Sequence, residues 1–123
     1  MKSLATSVLV ALLLAGGAVT AAPVTVEGTL VDSVCYLKDG AMTNDHGAMK
    51  DCGTMCLRGG SPAAVLTKDK KLHVVIAPST ALADYVGLTV RVTGEETGNA
   101  ILATTAQVNK DGKWVDVKLG ASM

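Results

Sequence analysis

Residues 24–36, VTVEGTLVDSVCY, set the pattern that the rest of the chain follows. Apolar side chains stand at every second position with polar ones between them, at Val24, Val26, Leu30 and Val34. This period of two predicts a half-buried β-strand. Gly28 in its middle predicts a bulge or sharp bend, as in a strand that curves round a small barrel. The strand is expected to carry Cys35 and Tyr36 to its far end.

Further short strands follow along the chain. A hairpin is predicted from Ala63–Leu66, the turn at 68–70 and residues 72–77, where Leu72, Val74 and Ile76 would share one strand face. A short helix is expected over 80–86, ended by Gly87. Strands are then predicted over 88–93, 100–108 and 114–119, the last two joined by a tight turn at Asp111-Gly112. The order of elements predicts an all-β domain with one short helix between strands 3 and 4.

Three segments carry a resemblance at the level of pattern: VEGTLVDSVCY, STALADYVG and LTVRVTGEE. Over residues 24–108 the chain resembles small exported bacterial OB-fold proteins. The resemblance implies a small all-β, OB-fold-like Greek-key barrel. On this interpretation residues 22–123 form one barrel domain. A partly helical insertion containing Cys, His and Met, residues 36–62, follows its first strand.

The start of the chain has the pattern of an export signal. Residues 1–22, MKSLATSVLVALLLAGGAVTAA, hold a positive Lys2, a short apolar run over 8–14 and small residues before Ala21. The apolar run is shorter than a bilayer-spanning helix needs. Residues 1–21 are therefore predicted to be a signal peptide that is cleaved, with a retained membrane anchor as the alternative. We expect an exported protein, periplasmic or secreted, without a stable membrane anchor.

Composition excludes some classes of partner. Eleven basic and eleven acidic residues cancel, and neither sign is clustered. The aromatic residues are Tyr36, Tyr85 and Trp114, since Phe is absent. A nucleic-acid-binding surface needs positive charge and stacking side chains, so nucleic acid is not expected as a partner.

The chemistry of the chain is concentrated in the insertion. The stretch CYLKDGAMTNDHGAMKDCGTMC, residues 35–56, contains all three cysteines, His46, and three of the five methionines. A helix is predicted over 42–57, ended by Gly59-Gly60. Such a helix places one set of soft side chains on a single face: Met42, His46, Met49, Cys52 and Cys56.

These residue types point to a soft metal ion. Thiolate, imidazole and thioether groups suit Cu(I) or Zn. Cys52 and Cys56 lie one helical turn apart, and Cys35 and His46 complete a set of three sulfurs and one nitrogen. The spacing of Cys52 and Cys56 is similar to that of the CxxxC pair in copper-delivering Sco proteins, although Leu57 stands where Sco proteins carry Pro. That resemblance implies only that such a pair can hold copper.

Two other uses of the cysteines stay open. A disulfide from Cys35 to Cys52 or Cys56 would pin the insertion to the barrel and stabilise it by about 3 kcal/mol. Thiol exchange is the other, since three is an odd number and one thiol is left over. The chain contains no CxxC motif, and no basic residue lies next to Cys35 in sequence to lower a thiol pKa.

The remaining polar residues suggest no enzyme. No Ser-His-Asp order, phosphate loop or carboxylate pair is present. Asp32 is expected to cap backbone groups at the start of the insertion, and His73 to be a solvated or rim histidine. The sequence predicts an exported, non-enzymatic binding protein that handles Cu(I) or Zn. The alternative is a disulfide-stapled OB-like domain that binds an exported protein or another ligand without metal.

Overall fold

A computed structural model describes residues 22–120 and Gly17. The predicted signal peptide, residues 1–21, lies outside the described residues apart from Gly17. The strands are β1 (Val24–Asp32), β2 (Ala63–Leu66), β3 (Leu72–Ile76), β4 (Thr89–Thr97), β5 (Ala100–Lys110) and β6 (Lys113–Val117). The helices are α1 (Ser33–Asp39), α2 (Cys52–Arg58) and α3 (Ser79–Leu82), which continues as a 3₁₀ turn over Ala83–Tyr85. In the part of the chain that is described, no helix is long and apolar enough to cross a membrane.

The six strands form one mostly antiparallel sheet in the order β3-β2-β1-β4-β5-β6. One further, parallel pairing joins β3 to β5. Each of the first five strands therefore has hydrogen-bonded neighbours on two sides. β1 pairs with β4 along residues 24–29 and with β2 along residues 29–32. It thus passes from one partner to the next at the position where the sequence predicts a bend.

Gly28 permits this change of partner. A Cβ atom at Gly28 would lie 2.2 Å from the carbonyl oxygen of Leu66. No side chain fits there, because the backbone at the end of β2 lies directly against Gly28. The predicted bend is therefore a close backbone approach, and the register shift in the sheet lies instead at Thr93/Gly94 in β4.

The main hydrophobic core of the domain is aliphatic. Its largest fully buried side chains on the strands are Leu30, Val65, Val90, Val92, Ile101 and Val108. Leu57 of α2 and Leu82 of α3 are also fully buried in the same cluster. Each such Leu contributes roughly 1.5–3 kcal/mol by its burial. The short helices are thus anchored to the sheet by one leucine each, and α2 gains its position from Leu57.

The first strand ends earlier than the alternation predicts. β1 stops at Asp32, and a helix begins at Ser33. The Asp32 side chain accepts a hydrogen bond from the backbone N–H of Val34 (3.0 Å), which is the predicted capping role and which initiates the helix. Cys35 consequently lies in the first turn of α1 and not at the end of a strand. The segment between β1 and β2 spans residues 33–62.

The predicted helix over 42–57 is wrong in its first ten residues. Only Cys52–Arg58 is helical. Gly47 and Asp51 have positive φ, at 60° and 54°, and such angles interrupt a right-handed helix. Asp45 accepts a hydrogen bond from the backbone N–H of Asp51 (2.8 Å), which offers the chain a local alternative to helix. The predicted face that aligned Met42, His46 and Met49 with the cysteines therefore does not form.

Candidate metal centre

Three cysteines from two helices meet at one point beside the sheet. Cys35 lies in the first turn of α1, and Cys52 and Cys56 lie one turn apart on α2. Their sulfur atoms all lie within 4.8 Å of one another. All three thiols are half-buried and free, with no disulfide between them. We call Cys35, Cys52 and Cys56 the three-cysteine group. They are close enough together to hold a metal ion.

Asn44 holds the start of α2 in place. Its Oδ1 accepts a hydrogen bond from the backbone N–H of Thr54 (2.8 Å), and its Nδ2 donates to Asp51 (3.0 Å). Thr54 in turn donates from its hydroxyl to the carbonyl oxygen of Ala83 (2.8 Å). The N-cap residue Asp51 makes no side-chain capping bond, so Asn44 in the preceding loop accepts a backbone N–H of the first turn of α2 in its place. The loop before α2 therefore positions Cys52.

Gly53 sets how closely α2 approaches the 3₁₀ turn and the residue that follows it. A Cβ atom there would lie 2.5 Å from Cγ1 of Val86 and 3.1 Å from Oδ1 of Asn44. Gly53 is itself buried, as is Leu57 one turn later. α2 thus turns one small, closely packed face to the domain, and Cys52 and Cys56 lie on the adjacent face toward α1.

Asp32 joins the two helices. Its Oδ1 accepts the hydrogen bond from Val34 of α1 and a second one from the hydroxyl of Ser61, which lies just after α2. The side chain of Ser33 adds a link by donating to the carbonyl oxygen of Pro62 (2.7 Å). Asp32 is only 2% exposed. One buried carboxylate thereby fixes the beginning of α1 against the end of α2, which brings Cys35 opposite Cys56.

The same carboxylate controls the protonation of two thiols. Hydrogen bonding to Asp32, followed by burial, raises the pKa of Cys35 to about 12. Burial, with Asp32 and Cys52 as further causes, raises the pKa of Cys56. A neighbouring negative charge and a low-dielectric surrounding both disfavour a thiolate. Cys35 and Cys56 are therefore thiols at neutral pH until a cation displaces their protons.

Asp32 itself remains an anion. Burial raises the pKa of its carboxyl, but hydrogen bonds from Ser61, from Cys35 and from the backbone of Val34 outweigh burial and lower the pKa below 3.8. Its Oδ2 atom is buried and has no hydrogen-bond donor in good geometry among the residues that the structure describes. A buried carboxylate oxygen without a partner is costly. The site thus contains a charge that the described side chains do not fully satisfy.

His46 is not part of the three-cysteine group. The atoms within 4.8 Å of one another belong to the cysteines, and His46 is not among them. Its Nε2 donates to the carbonyl oxygen of Thr43 (3.0 Å), within the loop that replaces the predicted helix. Met42 and Met49 are exposed. Of the four predicted ligands, the structure brings together Cys35, Cys52 and Cys56 and leaves His46 in its own loop.

His73 lies elsewhere, on β3. Its Nδ1 is 2.6 Å from a carboxylate oxygen of Glu96, which belongs to β4 and not to a solvated turn. The side chains are 15% and 27% exposed, so this is a rim pair with limited access to solvent. The pair links β3 to the β4–β5 hairpin and is a structural contact.

The sequence interpretation missed two features of the site. The first is the contact of Asp32 with the thiols. Residues three apart on a helix lie on the same side, so a helix predicted to begin at Ser33 would have indicated this contact through the spacing Asp32-x-x-Cys35. The second is Ser61, for which a serine between Gly60 and Pro62 gives no signal.

Comparison with known proteins gave no match. No family model fits the chain, and neither a curated protein nor a solved structure is significantly similar to it.

Proposed function

We propose that this protein is an exported, non-enzymatic binding protein that handles a soft metal ion, Cu(I) or Zn, through Cys35, Cys52 and Cys56. One observation carries the proposal: three free sulfurs lie within 4.8 Å of one another. Sulfurs bound to one zinc ion at about 2.3 Å are about 3.8 Å apart. A contraction of about 1 Å, well within the range of side-chain movement, converts the three-cysteine group into a ligand set.

The donor set favours soft ions. Three thiolates suit Cu(I) and Zn, whereas Mg²⁺ and Ca²⁺ take oxygen ligands. The half-buried position gives an ion a route to solvent, which a protein that receives and releases metal requires. With three protein sulfurs, a fourth position stays open for water or for a donor from a partner protein.

The circuit of strand pairings supports the finer proposal for the fold. The pairings β1–β2, β2–β3, β3–β5, β5–β4 and β4–β1 return to their starting strand. A small helix between β3 and β4 accompanies this circuit. Both features are typical of the OB-fold barrel. We propose that the domain is an OB-like barrel that carries its metal site on the segment after the first strand.

The alternative function is a disulfide-stapled domain, and the same proximity favours it. All three sulfurs lie within 4.8 Å of one another, so each of them is near two possible partners. A bond from Cys56 to Cys35 would join α1 to α2. In this case the domain would bind an exported protein or another ligand without metal.

Thiol counting on protein recovered from the exported fraction separates the two functions. The proposal predicts three reactive thiols after metal is removed by a chelator, and intact mass that lacks residues 1–21. One reactive thiol without reductant supports the stapled domain instead. A chain that retains Met1 in a membrane fraction contradicts the export part of the proposal.

A further inference from the structure

We propose that Asp32 gives the three-cysteine group a preference for a divalent soft ion of the Zn²⁺ class over monovalent Cu(I). The inference rests on the proposed function, since it concerns the ion that the same site takes. It is carried by one buried carboxylate that lies against two of the three sulfurs without belonging to the group itself.

The position of Asp32 is the first part of the argument. The side chain is 2% exposed, and it touches the thiols of Cys35 and Cys56, one from each helix. Its Oδ1 is engaged by Val34 and Ser61, whereas its buried Oδ2 has no well-placed donor among the described residues. The carboxylate is therefore a fixed negative charge at the edge of the site.

Among the described residues, no basic side chain forms an ion pair with Asp32. In the described part of the chain, ion pairs form at Arg58–Asp84, Lys71–Asp69, His73–Glu96 and Arg91–Glu27, and none of them includes Asp32. Hydrogen bonds from Val34 and Ser61 hold the carboxylate as an anion, and a cation bound beside it would add an opposite charge.

The preference follows from counting charge. When the same number of thiols lose their protons, a site loaded with a divalent ion is one unit more positive than the site loaded with a monovalent ion. Asp32 interacts with this extra positive unit in a surrounding where little water screens it. It therefore favours the divalent ion relative to Cu(I). A single charge at such a distance shifts an equilibrium by about tenfold to a thousandfold.

The test is the ratio of Zn²⁺ to Cu(I) affinity in reduced full-length protein, measured with competing chelators at constant pH. Asp32→Asn removes the charge and retains an oxygen that can accept from Val34. We expect this substitution to lower the ratio about tenfold or more. Asp32→Ser, also a good helix N-cap, is a second neutral variant with the same expectation.

One control accompanies the neutral variants. Asp84→Asn removes an exposed carboxylate that pairs with Arg58. It should leave the ratio unchanged. If circular dichroism shows both neutral variants to be unfolded, the ratio of Zn²⁺ to Cu(I) affinity is compared in native and denatured wild-type protein. A higher ratio is expected in the native protein, because only the native chain fixes Asp32 beside the thiols.

The outcomes separate this inference from the proposed function. A wild-type protein that binds neither ion overturns the proposed function. If the wild-type protein binds metal but Asp32→Asn leaves the ratio of Zn²⁺ to Cu(I) affinity unchanged, only the role of Asp32 is overturned. The same holds if Asp84→Asn lowers that ratio as much as Asp32→Asn does. An equal ratio in native and denatured protein overturns it too.

Discussion

The carboxylate of Asp32 lies beside the thiol of Cys35, and this proximity, together with burial, raises the pKa of Cys35 to about 12. The raised pKa means that the protonated thiol is the stabilised form. A metal ion must displace this proton, so binding is weakened wherever the thiol is still protonated. The two residues are three positions apart, at the N-cap and in the first turn of α1.

The first prediction follows from this contact. Metal affinity should rise with pH and should continue to rise above 9.0, the ordinary thiol value, because Cys35 stays protonated until about pH 12. In Asp32→Asn the rise should level off closer to 9.0. Chelator competition from about pH 7 to about pH 10 measures both curves. A wild-type curve that is already flat above 9.0 would show that Asp32 does not control the thiol.

The second prediction concerns the ligands. Serine in place of Cys35, Cys52 or Cys56 should each weaken metal binding by more than the roughly 10- to 100-fold that loss of an outer partner costs. The three losses should be similar, since the three sulfurs all lie within 4.8 Å of one another.

His46→Ala is the matched control for the cysteine variants. Its side chain bonds within its own loop, so affinity should stay within about twofold of the wild type, well below the cost of a lost outer partner. A loss as large as that of Cys56→Ser would place His46 in the coordination sphere.

The third prediction tests how the loop positions α2. Asn44→Ala removes the acceptor for the N–H of Thr54 and should destabilise the fold by about 1 kcal/mol. It should also weaken metal binding, because Cys52 begins the helix that Asn44 holds. Urea unfolding and chelator competition provide the two readouts.

Asn109→Ala is the control for the loop. Asn109 accepts from the backbone N–H of Gly112 (2.9 Å) in the β5–β6 turn, away from the cysteines. It should lower stability without changing metal affinity. Equal effects of the two variants on metal binding would mean that Asn44 acts only through global stability.

The fourth prediction concerns the bend in β1. Gly28→Ala should destabilise the domain by about 3 kcal/mol or more, because the added Cβ meets the backbone of Leu66 at 2.2 Å. Gly59→Ala adds the same methyl group with nothing closer than 3.4 Å and should change stability little. Urea denaturation compares them. A Gly28→Ala protein as stable as wild type would contradict the close approach of the β2 backbone to Gly28.

The strands were predictable where they bury a single face, as β4 does, whereas all four residues of β2 are buried. Alternation at Val24, Val26 and Leu30 follows the side-chain period of a pleated strand, and the Asp111-Gly112 turn adopts two positive φ angles, as its residue types require. Apolar periodicity therefore located β1 and the hairpins correctly, apart from their ends.

The helices were less predictable because capping and loop bonds decide them. Alternation continues through Val34, yet the Asp32 side chain ends the strand by capping a helix two residues earlier. In the same way, the hydrogen bonds that Asn44 and Asp45 accept from the backbone override the helical spacing of His46 and Cys52. Such side-chain bonds depend on individual polar residues within the same segment, and a periodic pattern of apolar residues carries no record of them.

The proximity of the three cysteines was only partly encoded in the sequence. The spacing of Cys52 and Cys56 predicts two sulfurs one turn apart, and the structure has that turn. The arrival of Cys35 depends on Asp32 and Ser61, which join the two helices across residues 33–62. Local spacing identified the pair, and tertiary contacts supplied the third sulfur.

The most direct test of the account is the amount of metal retained per chain. Reduced protein is loaded with Zn²⁺ or Cu(I), dialysed against a competing chelator and analysed for metal, beside a variant with Cys35, Cys52 and Cys56 all replaced by serine. The account predicts about one ion per wild-type chain and almost none in the variant, since the thiolates supply the affinity. Equal retention in both proteins, or no retention by the reduced wild type, would contradict it.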